Sequence, residues 1–428
     1  MRGLFRWGRN ALVLIIGSAA LGTVLLVLAC SIPQEALETH VRDAVDILLD
    51  EGTYPSIFSG TSGTKLDNFT DGLMINTAYT STGNALYDAL QATQTRFEGT
   101  RALESLNRYF ASGSDGSYVQ TYGRYWHGYL IFLRPLLALV SYPSIRALNM
   151  VGQLALMFVL LSVLMWRGKA TLFVPLFAMW ICLSPATLFN SLQYSSVFYS
   201  TMLCAIVLVG AHDRLDVQGR CVVFETCGVL VAYFDLLTYP LVSLGVPLVL
   251  FFSLDYGQPR SWRERVGQLL VYAVSWGVGY GGMWASKWMI GSVLTGENVV
   301  SDALDAVTFR TSSSYGTTEY TWFGVIASNL GQLKSAAVVS AVGLSMAVGA
   351  ALLVVRQRVS VNPPAFAAIV VAACLPFLWY LVVMNHSAIH YWMTYRELAI
   401  TVYSAVSLPI VHVGRGRGDR LGSEEAAR

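Results

Sequence analysis

The stretch MRGLFRWGRNALVLIIGSAALGTVLLVLACS, residues 1–31, decides the class of the fold. Arg2, Arg6 and Arg9 precede an apolar run from Ala11 to Ser31, about the 20 residues that a helix needs to cross a bilayer. A basic flank and an apolar run also describe a cleaved signal peptide, and Val27-Leu28-Ala29-Cys30 hints at a lipoprotein processing site. Many more apolar runs follow, so the segment reads as an uncleaved first transmembrane helix with a cytoplasmic N-terminus.

Nine further spans of about 20 residues can be drawn downstream. They lie near 146–166, 170–188, 194–211, 221–236, 238–254, 267–288, 335–355, 364–384 and 393–412. With the N-terminus inside, every predicted inside connection is basic. These hold Arg167 and Lys169, then Arg214 and Arg220, then Arg260, Arg263 and Arg265, then Arg356 and Arg358, with Arg415, Arg417 and Arg420 in the tail. Ten spans with both ends cytoplasmic is the expectation. An odd count would put a basic cluster outside.

Composition agrees. The 428 residues are 54% hydrophobic and only 13% charged, about half the charge of an ordinary soluble protein, and the mean hydropathy is +0.52. A disordered chain, a nucleic-acid binder and an ordinary cytosolic enzyme are excluded. The net charge of +2 is uninformative as a total. Cys30, Cys182, Cys204, Cys221, Cys227 and Cys374 all sit in or beside apolar runs, with no CxxC pair and no zinc spacing, and read as small apolar residues.

The expected organisation is therefore all-α and polytopic. Residues 1–31 form the N-terminus and first span, 32–145 an extracytoplasmic loop, 146–412 a nine-helix membrane region with a second outer loop near 291–332, and 413–428 a cytoplasmic tail. In the first loop, Glu35 to Leu49 reads as an amphipathic helix with Leu37, Val41, Ala44, Ile47 and Leu48 on one face. Gly52 to Gly63 reads as loop, and Asp67 to Thr93 as a second helical region. Val119 to Leu139 carries Arg124, His127, Arg134 and Pro135, and is expected to lie along the membrane surface or re-enter it.

Four outward constellations could carry chemistry. Asp67 and Asp71, four apart, share a helical face, where two carboxylates can raise one pKa, provide a base or bind a metal. The plain alternative is a solvated helix cap. Tyr122-Gly123-Arg124-Tyr125-Trp126-His127-Gly128-Tyr129, followed by Arg134-Pro135, suits an interfacial aromatic belt, and equally sugar stacking with phosphate pairing. Asp235 lies at a span end in Phe234-Asp235-Leu236-Leu237-Thr238-Tyr239-Pro240, either reached by water or capping a helix break. Asn385-His386-Ser387-Ala388-Ile389-His390, with Tyr395 and Arg396, places two histidines on one face. They could hold zinc, an anion or a hydroxyl-rich ligand, or cap the interface, but the Glu of a HExxH motif is absent. Lys287 reads as a snorkelling side chain or a partner for a lipid phosphate. No P-loop supports ATP-driven transport and no GxSxG nucleophile is present.

One span, a large acidic outer loop, and then YWHGYLIFLRPLLALVSYPSIRALNMVGQLALMFVL at 125–160 leading into the second span resemble the GT-C class of integral-membrane glycosyltransferases. That group includes the protein mannosyltransferases and the lipid A aminoarabinose transferases. The resemblance covers residues 1–210 in organisation. The family's His-Pro-Pro is replaced here by His127-Gly128 with a later Pro135. FDLLTYP, MWASKW and NHSAIHYWMTYR look like strings of uncharacterised bacterial multi-span proteins.

The resemblance implies transfer of a sugar from a polyprenyl-phosphate carrier to a glycan, lipid or protein acceptor outside the cytoplasmic membrane, with no nucleotide site. Asp71 or Asp67 would be the base, with Asp43 and Asp46 behind them. Arg124, Arg134, Lys287 and Arg396 would hold the leaving phosphate. Tyr125, Trp126, His386 and His390 would position the sugar, with His127, Asp235 and Tyr395 among the lining residues. No metal ligand set is expected, although a divalent cation is compatible with the acidic pair. A transporter or flippase of a lipid-linked or anionic solute, a polysaccharide polymerase or ligase, and an envelope scaffold are the alternatives.

Overall fold

The computed structural model describes residues 2–356 and 361–411. Arg358 and the tail with Arg415, Arg417 and Arg420 fall outside the described residues, as do the side chains of Arg2, Arg6 and Arg356. The fold is all-α, with two short antiparallel ladders, Gln94–Phe97 with Ser117–Gln120 and Ser314–Tyr315 with Thr318–Glu319.

Among the described residues, five helices are long and apolar enough to cross a membrane: Trp7–Cys30, Tyr142–Trp166, Leu192–Gly210, Val217–Phe234 and Pro363–Val382. A pair bent by 76°, Trp322–Lys334 with Ala337–Leu352, would make a sixth. The runs expected to cross at 170–188 and 238–254 instead form apolar helices too short to span a bilayer, Ala170–Cys182 and Val242–Leu254. The first stops where Ser184 turns left-handed (φ 62°) before Pro185, and the second starts after a break held by Asp235. The final run yields only Ala399–Val411. Trp262–Thr295 is a single helix of 34 residues.

Close helix packing relies on two glycines. A Cβ at Gly228 would lie 2.2 Å from the carbonyl oxygen of Trp276, and one at Gly279 would lie 2.1 Å from that of Glu225. Helices Val217–Phe234 and Trp262–Thr295 therefore touch backbone to backbone, as small residues permit in apolar bundles.

The segment 32–145 folds into a lobe. Glu38–Glu51 is the amphipathic helix, and it buries Val41, Ala44, Val45 and Leu48 together with Leu37. Ile47, expected on that face, is only half-buried and Val45 takes its place. Residues 67–93 hold two helices, Asn68–Tyr79 and Ala85–Gln91, because Thr80 to Asn84 break the run and Asn84 caps the second helix. The ladder Gln94–Phe97 with Ser117–Gln120, absent from the sequence reading, frames helix Ala102–Ser112. Residues 119–139, expected along the membrane surface or re-entering it, comprise the end of strand Ser117–Gln120, a turn, and helix Leu130–Leu139, which buries Leu130, Leu133, Arg134 and Leu137. The second long connection is also largely helical, with Val299–Thr311 and Trp322–Leu330.

Polar contacts collect at two places. At one, Arg167 pairs with Asp213 at 2.5 Å, Arg265 pairs with Asp255 at 2.5 Å, and Asn362 donates to the Tyr256 carbonyl. At the other, the breaks at 183–194, 235–241 and 383–398 meet segments 61–71 and 310–314. Asp67 N–H donates to Ser191, Tyr395 Oη donates to the Gly63 carbonyl, and Leu241 N–H donates to Glu397. Asn385 N–H donates to the Ser312 carbonyl. Non-helical backbone inside an apolar bundle requires such partners.

Candidate functional site

The acidic pair faces a turn of its own chain. Asp67 caps helix Asn68–Tyr79, accepting from the Thr70 amide at 3.0 Å and its hydroxyl at 3.1 Å, but the cap is buried rather than solvated. Its second oxygen also accepts from Gln193 Nε2. Asp71, one turn on, accepts from Tyr142 Oη at 2.8 Å and from the amides of Leu192 and Gln193 at 3.1 and 3.3 Å. Both carboxylates are buried. Burial pushes the Asp71 carboxyl up to about 7, against the pull of Arg146 and of its hydrogen-bond donors. Burial likewise raises Asp67. Beside the pair, Arg146 binds Glu51 at 2.5 and 2.9 Å.

Arg396 and Tyr395 join this group from the far end of the chain. Arg396 is wholly buried, lies 4.2 Å from the Tyr194 ring centroid, and donates to the carbonyls of Leu183, Gly63, Trp392 and Met393. Two other cations expected to bind phosphate are engaged in the same way. Arg134 donates four hydrogen bonds, to Ala29 (2.8 Å), Cys30 (3.4 Å), Ile32 (2.6 Å) and Ala78 carbonyls, joining the ends of the first helix and of Asn68–Tyr79. Lys287 does not snorkel. It is fully buried and donates to the Leu90 and Ala89 carbonyls at 2.7 and 3.4 Å, at the C-terminus of Ala85–Gln91. Helix C-termini present unpaired carbonyls and partial negative charge, so a cation is stable there.

The aromatic string is divided by role. Trp126 is buried and donates to the Met283 carbonyl at 2.7 Å. His127 is left-handed (φ 55°) and uses both nitrogens, donating to the Tyr122 carbonyl and accepting from Tyr129 Oη. Burial lowers its pKa to about 3, so it stays neutral. At Gly128 a Cβ would meet Tyr233 atoms at 2.4–2.5 Å, so only glycine fits. Tyr125 packs edge-on against Trp284. Arg124 forms an ion pair with Asp302 at 2.9 Å and lies over Tyr122.

Asp235 accepts from the Thr238 amide at 2.8 Å and hydroxyl at 2.5 Å, closing the break in which Leu237 is left-handed (φ 67°). The Leu237 carbonyl accepts from His386 Nε2 at 2.8 Å, while His386 Nδ1 accepts from Arg310 at 2.5 Å. That pairing sets the tautomer and leaves no free nitrogen on His386 for zinc. The His390 ring lies 4.9 Å from that of His386, and burial lowers its pKa to about 4. Among the described residues, no group of three or more His, Cys, Asp or Glu could hold a metal ion.

The sequence reading missed Arg310, Glu397, Gln193, Tyr142 and Arg146. Glu397 adjoins Arg396 and is wholly buried, with one oxygen on the Leu241 amide and Oε2 without a hydrogen-bond partner. Tyr194 Oη, Asn385 Oδ1 and Ser387 Oγ are buried without a partner at the same breaks. Arg310 is half-buried. Its hydrogen bond goes to His386, and among the described residues it makes no ion pair. An acidic or basic letter in an outer loop carries no signal of such pairing; only the fold brings residues 310 and 386 together.

No family model, curated protein or solved structure matches the chain.

Proposed function

We propose that the protein is a membrane glycosyltransferase that moves a sugar from a polyprenyl-phosphate carrier to an acceptor on the outer face of the cytoplasmic membrane. On this reading both termini are inside. The gathering of 183–194, 235–241 and 383–398 against the first lobe supports one shared outer site, since all three are outside connections in that topology.

The observation that carries the reading is Arg310. A half-buried guanidinium without a carboxylate partner, resting on a neutral histidine, suits an anion, and its planar fork suits a phosphate. Arg310, with His390 beside it, takes over the phosphate-holding role that Arg134 and Lys287 cannot fill while bound to carbonyls. Asp71 is the base. It takes the proton from the acceptor hydroxyl as that oxygen bonds to the anomeric carbon, and the bond from that carbon to the phosphate oxygen breaks. A carboxyl near pH 7 is matched to that task. The leaving polyprenyl phosphate carries the charge that Arg310 stabilises.

A transporter or flippase is the second reading, favoured by Glu225. This carboxylate is buried within Val217–Phe234, and its Oε1 has no partner. Lone acids inside apolar helices often mark a translocation path.

The test uses protein in lipid nanodiscs with radiolabelled polyprenyl-phosphate hexoses and pentoses, scoring release of free polyprenyl phosphate. Wild type should release it, while Asp71→Asn and Arg310→Met should not. Carrier bound in native mass spectra but never cleaved, with flipping intact in liposomes, would move the assignment to the transporter.

A further inference from the structure

We infer that an aromatic track on the outer lobe binds a hydroxyl-rich oligosaccharide chain, and that this chain is the acceptor. The second half of that statement rests on the transferase reading above.

Four rings from distant parts of the sequence follow one another. Phe69 stacks with Tyr54 at 6.4 Å between centroids, Tyr54 meets Trp392 edge-on at 5.6 Å, and Trp392 meets His390 at 5.4 Å. His390 leads to His386, and so to Arg310. Phe69 and Tyr54 remain 39% and 38% exposed, so their faces are available to solvent rather than used up in the core. Lys65 Nζ lies 5.4 Å from the Trp392 ring centroid, adding a donor along the path. At its far end, Phe69 lines a shallow hollow with Leu48, Leu103, Thr53, Arg101 and Glu104.

The chemistry points to a glycan. A pyranose offers a face of polarised C–H groups that packs on an aromatic ring, and a rim of hydroxyls that seeks charged and polar donors and acceptors. Here the rings have Lys65 and His390 among them, and Arg101, Glu104 and Asn68 stand beside Leu48 and Leu103 in the hollow at Phe69. Successive rings step by 5.4–6.4 Å between centroids and meet at 26°, 67° and 72°, so they present faces and edges in turn. An aliphatic lipid tail gains nothing from the charged and polar groups between the rings. The track ends at the two histidines, where a chain end would meet the proposed donor phosphate. Asp67 caps the helix that carries Phe69 and Asp71.

Wild type and Asp71→Asn in nanodiscs would be titrated with maltoheptaose, chitohexaose and a linear β-1,3-glucan hexamer. Saturation-transfer NMR and tryptophan emission report binding. At least one glycan should bind both proteins, and Tyr54→Ala and Trp392→Ala should each weaken it about tenfold or more. Trp392→Phe, which keeps a ring, should bind far better than Trp392→Leu, with far-UV circular dichroism unchanged in all. Binding by none of the three glycans would overturn the proposal. So would equal binding by the ring-deleted variants, or rings that perturb only association with lipid vesicles. Carrier turnover without glycan binding sinks the track alone; glycan binding without carrier turnover sinks the transferase reading alone.

Discussion

Arg134→Met separates two readings of one residue. As a phosphate ligand, Arg134 should matter for activity and little for stability. Its placement says the reverse. The guanidinium is 1% exposed and holds the carbonyls that end two helices, one in the first span and one bearing the acidic pair. Methionine keeps the length and apolar stem but removes every donor. Hydrogen bonds from a charged group are worth about 1.5–3 kcal/mol each, and the bond at 3.4 Å contributes least. The sum is reduced because a buried guanidinium without a counter-ion already carries a desolvation cost. The net loss should be about 3–5 kcal/mol, comparable to removing one partner of a buried ion pair. Scaled from large soluble domains, the apparent melting temperature in detergent should fall by roughly 5–10 °C, with protease cutting appearing first near residues 30–34. Arg134→Lys should recover part of this, since one ammonium cannot reach all four carbonyls. A variant melting with wild type, yet failing to bind carrier, would refute the assignment of Arg134 as a staple.

Three further outcomes follow from the same contacts. Lys287→Met should loosen Ala85–Gln91 from Trp262–Thr295 at a cost of about 2–3 kcal/mol, seen as faster hydrogen exchange across residues 85–92. Asp71, raised from 3.8 to about 7, binds its proton more tightly folded than unfolded. The stability it contributes is full below the unfolded carboxyl range of about 4, falls as pH rises, and is gone above about 7; turnover should instead rise toward pH 7, and Asp71→Asn should remove that component of the melting profile. Gly228→Ala should lower the yield of folded protein, because its Cβ would sit 2.2 Å from a carbonyl, whereas Gly17→Ala, with nothing within 4 Å, should melt like wild type.

The residues alone determined an all-α chain with several helices long and apolar enough to cross a membrane, and a polar lobe after the first of them. Apolar runs with basic flanks state their solvent directly, since charge is too costly in lipid to be placed at random. The cap at Asp67 was also legible, because capping is settled within four residues. Tertiary structure decided the rest. Whether a run crosses or breaks depends on local partners, and Asp235 and Ser184 interrupt runs that hydropathy alone draws as continuous. The fate of each cation was equally invisible. Arg134, Lys287 and Arg396 meet carbonyls of residues distant in sequence, while the hydrogen bond of Arg310 goes to a histidine. A charged letter reports that a partner is needed, and only the folded chain decides whether a helix end supplies it or leaves it for a ligand.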